Sequence, residues 1–207
     1  MPRKNRKSSS SRAGGTLNGA SFKALAHAVY HCKQLAPGAI SPAQFERILE
    51  SARWTPSVAN KQPWLLAGAN GDAARGLLQH FAEHPRSFAD FFASTSERDV
   101  LEDMGAAGAL VFLLGQRTSP FWRESCLLAT YQMLLATAAE GLAARALIPT
   151  SPNALAEIIR VPDEYLAFML VLLGREGEPE IKTAMLKPLG DVSVALSTRI
   201  FPPSRGG

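Results

Sequence analysis

Thr55-Pro56-Ser57-Val58-Ala59-Asn60-Lys61-Gln62-Pro63-Trp64 sets a turn rich in hydrogen-bonding side chains against the start of an apolar run, Trp64-Leu65-Leu66-Ala67-Gly68-Ala69. Pro56 and Pro63 restrict the backbone at either end. Between them Ser57, Asn60 and Gln62 offer hydroxyl and amide groups that donate and accept together, a surface suited to the edge of a flat heterocycle. Pro, Ser and Asn are also common turn formers, so a capped turn with a structural Asn is the alternative reading.

Upstream of this turn, Ser41-Pro42-Ala43-Gln44 has the form of a capping box with proline at the first helical position, and Ile40 can staple onto Phe45. A helix burying Phe45, Ile48, Leu49 and Ala52 is therefore expected to lead into the turn. An earlier amphipathic helix is expected over Ser21 to about Gln34, with Phe22, Leu25, Val29 and Cys32 at helical spacing. Downstream, Trp64 to Ala69 reads as a short buried strand. Asp72 to His84 reads as a helix stopped by Pro85, which disfavours the α conformation in the residue before it.

Residues 85–104 leave two readings open. Phe88, Phe91 and Phe92 cluster there amid Ser, Thr and charge, as in a satellite core or as in the cover of a pocket. Ala109 to Leu114 and Ala167 to Leu173 are continuous apolar runs of central-strand type, the second ended by Gly174, although periodicity alone also allows a short buried helix for the first. The longest helix is expected from about Ser119 to a glycine stop at Gly141, and a further helix from Ser151-Pro152 through Arg160. Arg175 to Gly207 has little periodicity and reads as an extended arm.

The Pro-Ser-x-x-Asn-x-Gln-Pro-Trp pattern of residues 56–64 resembles the signature loop of the nitroreductase family of flavin enzymes. The resemblance extends from about Ser21 to Val192, and Leu134 to Leu142 resembles the end of that family's central helix. It implies an α+β fold with a central mixed β-sheet flanked by helices and a C-terminal arm, from about residue 175, that reaches a dimer partner. It also implies FMN held at the interface of a homodimer. NADH or NADPH would reduce it in a ping-pong hydride transfer to a nitroaromatic, a quinone, another conjugated acceptor or a specialised metabolite. On this resemblance Ser57, Asn60 and Gln62 hold the flavin ring, Lys33 and Lys187 approach its phosphate, and Phe88, Phe91 and Phe92 shape the substrate pocket. No side chain is assigned as catalytic acid, base or nucleophile.

Two departures from the family pattern stand out. Tyr30 replaces a family arginine, and Lys33, which keeps the charge at another, lacks the bidentate fork of a guanidinium. Ile148-Pro149 falls where relatives carry a turn whose amides approach flavin N5, and proline has no N–H to give. The amide of Ile148 or Thr150 is then the remaining donor. These departures raise the alternative of a flavin-free member of the fold that serves as a binding or assembly subunit.

The chain's 207 residues, 46% of them hydrophobic, suffice for one substantial core. Its pI of about 9.3 invites a nucleic-acid reading until the charge is located. Arg3, Lys4, Arg6, Lys7 and Arg12 lie in the first twenty residues, which contain no acid. Setting those five aside leaves 17 basic against 18 acidic residues. The basicity therefore belongs to a Ser- and Gly-rich tail, expected to be disordered, ahead of one domain over 21–207. That composition has something of a transit peptide without its amphipathic face, and no specific nucleic-acid partner is expected.

Cys32 and Cys126 form no Cys-x-x-Cys pair, and a reducing cytoplasm is the expected compartment. No secretory signal is recognisable, and the Cys126 to Ala139 stretch carries Thr130, Gln132 and Thr137, too polar for a membrane span. Walker, Gly-x-Gly-x-x-Gly and Gly-x-Ser-x-Gly motifs are lacking. The four histidines form two i,i+4 pairs, His27/His31 and His80/His84, and residues 80–84 satisfy His-x-x-Glu-His. Pro85 frays the helix that would present the second pair and no third ligand is evident, so no metal site is expected.

Overall fold

A computed structural model describes residues 19–30, 34–83, 88–90 and 96–178. Over these residues the chain alternates helices and strands. The helices are α1 (Gly19–Tyr30), α2 (Pro42–Arg53), α3 (Asp72–Ala82), α4 (Glu97–Ala106), α5 (Trp122–Ala139) and α6 (Pro152–Ile159). The strands are β1 (Leu35–Ala36), β2 (Trp64–Asn70), β3 (Phe88–Asp90), β4 (Ala109–Gln116), β5 (Ala143–Pro149) and β6 (Tyr165–Glu176). The sheet order is β2-β4-β6-β5-β3, with β1 paired to the far end of β6.

The α+β architecture agrees with expectation, with one correction to the sheet. Every pairing among the described strands is antiparallel, where a mixed sheet was expected. β4 and β5 do run the same way, joined through α5, but β6 inserts between them and pairs with each in the opposite sense.

Side-chain alternation then serves two cores. Val111 and Leu113 of β4 join Met169, Val171 and Leu173 of β6 beneath α1, α2 and α5. Leu110, Phe112 and Leu114 join Leu170 and Leu172 beneath α3, α4 and α6. Burial on both faces explains why β4 and β6 read as unbroken apolar runs. At Gly115 a Cβ would stand 2.1 Å from the Trp122 ring, so only glycine lets the start of α5 lie on the strand.

The local signals at helix ends are borne out. Ser41 Oγ accepts from the Gln44 amide at 3.2 Å and Gln44 Oε1 accepts from the Ser41 amide at 3.3 Å, completing the capping box. At the end of α5, Gly141 takes φ 68°, and the amides of Gly141 and Leu142 return to Ala138 and Thr137, a Schellman closure. Arg47 of α2 clamps both Glu140 oxygens at 2.7 Å, holding Glu140 below the usual carboxylate range through that hydrogen bond.

Several boundaries differ. α1 is described as far as Tyr30, and Gln34 lies outside any helix, since Leu35 next to it pairs with Glu176. β6 runs through Gly174 to Glu176, where a stop and the start of an arm were expected, since Gly174 still pairs with Ala143. β3, α4 and β5 supply strands and a helix in segments whose periodicity was ambiguous or unread.

α4 and β5 also contribute a buried ion pair. Arg145 Nε donates to Asp103 Oδ2 at 2.6 Å, Nη2 lies 2.5 Å from the same oxygen, and each side chain is 1% exposed. The other carboxylate oxygen accepts the Leu35 amide of β1 at 2.7 Å. Removing one partner strands the other charge in the interior, a loss of about 3–5 kcal/mol. Asp103→Ala is therefore expected to lower the urea midpoint by that equivalent with an unchanged m-value, measured by far-UV circular dichroism.

Cys126, on the buried face of α5, has no exposed surface, and burial pushes its thiol up to about 12. Because the thiolate is the reactive form, a Cys32→Ser variant should resist thiol reagents at mildly alkaline pH until denaturant is added. Rapid labelling of the native protein would contradict this placement.

Candidate functional site

The turn of residues 55–63 leaves the C-terminal end of α2 and enters β2. The ladder continues past the strand, with the Gln116 amide donating to the Pro63 carbonyl at 2.8 Å. The pairings Trp64↔Gly115 and Gln116↔Tyr165 place the start of β2, the end of β4 and the start of β6 at one end of the sheet. β5 runs parallel to β4 across β6, so Ile148 and Pro149 arrive at the same end, where Pro149 pairs with Phe88. Segments far apart in sequence thus converge on the turn's side of the molecule.

Within the turn the three expected residues are brought together. Gln62 donates its amide N–H to Ser57 Oγ at 2.9 Å, and its Nε2 to Asn60 Oδ1 at 3.2 Å. Asn60 and Gln62 are exposed and Ser57 is half-buried. These bonds fix the side-chain amides while leaving Asn60 Nδ2 and Gln62 Oε1 outside the turn's own network. A donor and an acceptor are therefore displayed side by side, as the edge of a heterocyclic ring requires.

The backbone that displays them is strained. Ala59, Asn60 and Gln62 have φ of 52°, 52° and 45°, in the left-handed region. Asn tolerates this conformation, but Ala and Gln do so at a cost, and such strain persists where a site requires a particular presentation. Nearby, Thr55 is 4% exposed and its hydroxyl has no hydrogen-bond partner among the described residues; the same holds for Ser119, 8% exposed, just after β4. Buried hydroxyls are normally satisfied, so both mark this end of the sheet as a place where polar partners are wanted.

The remaining expected site residues are placed as follows. Phe88 is 6% exposed, with its ring edge-on to Phe81 at 5.4 Å, and lies in the second core. Its neighbours Phe91 and Phe92 lie outside the described residues, as do Lys33 and Lys187. Tyr30 is the half-buried last residue of α1, and Pro149 is the buried last residue of β5. His27 and His80 are exposed, His31 and His84 lie outside the described residues, and no metal-binding group of three such side chains occurs among the described ones.

Sequence reasoning missed the apolar display around the site. Trp54, the residue capping α2, is 78% exposed, Val58 within the turn 48%, and Phe121 at the start of α5 60%. Along α5, Leu127, Leu128 and Tyr131 are also exposed, opposite the face that packs on the sheet. A signal was present, since α5 is apolar around most of its circumference, which a helix with one buried face does not need.

Residues 30–175 match the profile of the Nitroreductase family. Among solved structures, a nitroreductase family protein from Clostridium difficile 630 is 20% identical, with a TM-score of 0.64 over 87% of this chain and 99% of that one. A nitroreductase from Bacteroides fragilis with bound FMN is 16% identical, with a TM-score of 0.64 over 87% and 100%. The nitroreductase CinD from Lactococcus lactis, in complex with nicotinic acid, is 16% identical, with a TM-score of 0.67 over 85% and 99%. At these identities the structural likeness is one of fold. No curated protein matches the sequence.

The strain in the turn is open to direct test. Replacing Ala59 by glycine relieves about 1–2 kcal/mol of left-handed strain against a glycine entropy cost of about 0.5–1 kcal/mol. Ala59→Gly should therefore match or exceed the parent in urea stability, while a clear loss would show that the turn is not strained in solution.

Proposed function

Because the chain belongs to the nitroreductase family, we propose that it is an FMN-dependent oxidoreductase, working as a homodimer that takes reducing equivalents from NADH or NADPH. The acceptor is a nitroaromatic, a quinone, another conjugated compound or a specialised metabolite. The observation that carries this reading is the strained turn at the sheet end, with Asn60 and Gln62 exposed and locked by Ser57.

The residues present fit such a group. The amides of Asn60 and Gln62 match the alternating donors and acceptors of the flavin's polar edge, and the unpartnered Thr55 hydroxyl lies beside them in the chain. Lys33 and Lys187 are assigned to the phosphate as point charges. Phe88, Phe91 and Phe92 are assigned to shaping the substrate pocket. When bound, FMN supplies the hydride chemistry, and the protein's part is to bind, orient and exclude water.

The proposed dimer is supported by the exposed apolar residues of α5 together with Trp54 and Val58, because a second copy would bury side chains that otherwise face water. β2 is an edge strand among the described strands, and the C-terminal arm from about residue 175 is proposed to reach the partner subunit. A cytoplasmic location is proposed on the absence of any described helix long and apolar enough to cross a membrane and on the two isolated cysteines.

One observation favours a second reading. Pro149 ends β5 at the position where an amide toward flavin N5 would be expected, and it has no N–H. A flavin-free binding or assembly subunit would tolerate that residue without compensation.

The visible spectrum of the purified protein separates the two readings. Flavin bands with FMN released on denaturation are expected, and a folded, colourless protein whose melting temperature does not rise with added FMN would favour the second. Within the first reading, Asn60→Ala should weaken FMN binding about tenfold or more, the equivalent of one or two lost hydrogen bonds at a dry site. Lys33→Ala should weaken FMN more than riboflavin, because only FMN carries the phosphate; equal losses in a fluorescence titration would remove Lys33 from that role.

A further inference from the structure

At the opposite end of β2 from the turn lies a cavity of about 600 Å³. β2 has seven residues, so the two places are separated by roughly 20 Å along the strand. The cavity's walls come from the β1–α2 connection, the end of β2, the α4–β4 connection and residues of α3 and α4. The volume falls within the range of small-molecule sites, about 300–1,000 Å³.

We propose that this cavity is a second ligand site, for a small carboxylate with a compact aliphatic body. The apolar interior is furnished by Ile40, Leu78 and Met104, all nearly buried, with Ala82 and Ala106 beside them. Among the described lining residues Arg75 is the charged one, and it gives the site its preference for an anion. Its guanidinium lies 2.9 Å from Asp72, but both side chains are largely in water, at 79% and 92% exposure. Such an exposed pair has a median value near zero and gives way readily to a better-placed acceptor.

The rest of the rim is already committed. Asn70 donates to the Ile40 carbonyl at 3.1 Å and accepts the Gly71 amide at 2.8 Å, holding the wall in shape rather than reaching for a ligand. Arg75 and Gln79 are the remaining polar side chains of the lining, and a carboxylate head group can bind Arg75 in the bidentate manner. The space is kept open by missing side chains: at both Gly71 and Gly105 a Cβ would meet nothing within 4 Å.

The site also adjoins the buried ion pair, since Met104 and Gly105 follow Asp103 in α4. A ligand held between α3 and α4 would therefore brace the helix that carries Asp103, and would raise the melting temperature as any ligand selective for the native state does.

Octanoate is a suitable probe because its saturated chain fills apolar space and has no ring to stack on a flavin. Octanamide, uncharged and similar in shape, serves as its control. Isothermal titration calorimetry on the FMN-saturated protein should show one octanoate site per chain, with octanamide binding about tenfold more weakly, a difference of 1.4 kcal/mol. Arg75→Gln should remove that preference, bringing octanoate to the octanamide level. Gly105→Phe, which projects from α4 into open space, should abolish binding of both while leaving the circular dichroism melt cooperative and FMN uptake unchanged. The proposal is overturned by the absence of saturable octanoate heat at millimolar concentration, by displacement of octanoate on FMN titration of the flavin-depleted protein, or by folded Gly105→Phe protein that binds as the parent does.

Discussion

The architecture depends on the buried contact between Asp103 and Arg145. Two opposite charges without access to water each lose several kcal/mol of hydration, and their mutual attraction repays this only when the remaining donors and acceptors are satisfied. Here one carboxylate oxygen takes the guanidinium and the other takes the Leu35 amide. Three elements distant in sequence, α4, β5 and β1, are thereby held in a single arrangement. A hydrophobic substitute could fill the same volume, but it would not specify which helix lies on which strand with the same selectivity.

That arrangement positions everything else. β1 is only two residues long, and its pairing with β6 is reinforced by the carboxylate that holds Leu35. The connection from β1 into α2 then forms one wall of the distal cavity and starts the helix that delivers the turn of residues 55–63. β5, tied at Arg145, carries Ile148 and Pro149 toward the same sheet end as that turn. The two ends of the sheet thus acquire different chemistry from one framework: a strained polar turn with apolar surroundings at one, and an apolar cavity with Arg75 in its lining at the other.

The strained turn and the exposed face of α5 share a physical character. Left-handed φ at Ala59 and Gln62, the unpartnered Thr55 hydroxyl, and the exposed Trp54, Val58, Leu127 and Leu128 are each unfavourable for an isolated subunit in water. Unfavourable features spread through a structure carry little meaning, but a concentration of them beside one sheet end marks a surface shaped for something it binds. The nitroreductase family supplies the reading under which a ring system and a second subunit occupy it.

Local features were legible in the sequence because their physics is local. The Ser41 capping box, the Gly141 stop and the doubly buried runs of β4 and β6 follow from neighbouring residues alone, and the Pro56 to Trp64 motif identified both the turn and its family. The fate of Phe88 was not legible, since an aromatic residue among polar neighbours reads equally as core or as pocket, and only contact with Phe81 places it in the core. Nor could spacing show that β6 enters between β4 and β5, which makes the described pairings antiparallel, because strand order is set by which faces can be covered at once. The pairing of Asp103 with Arg145, the convergence of residues 55–63 with residues 148–149, and the cavity beside Arg75 were likewise decided by the tertiary structure, each arising between residues brought together only when the chain closes on itself.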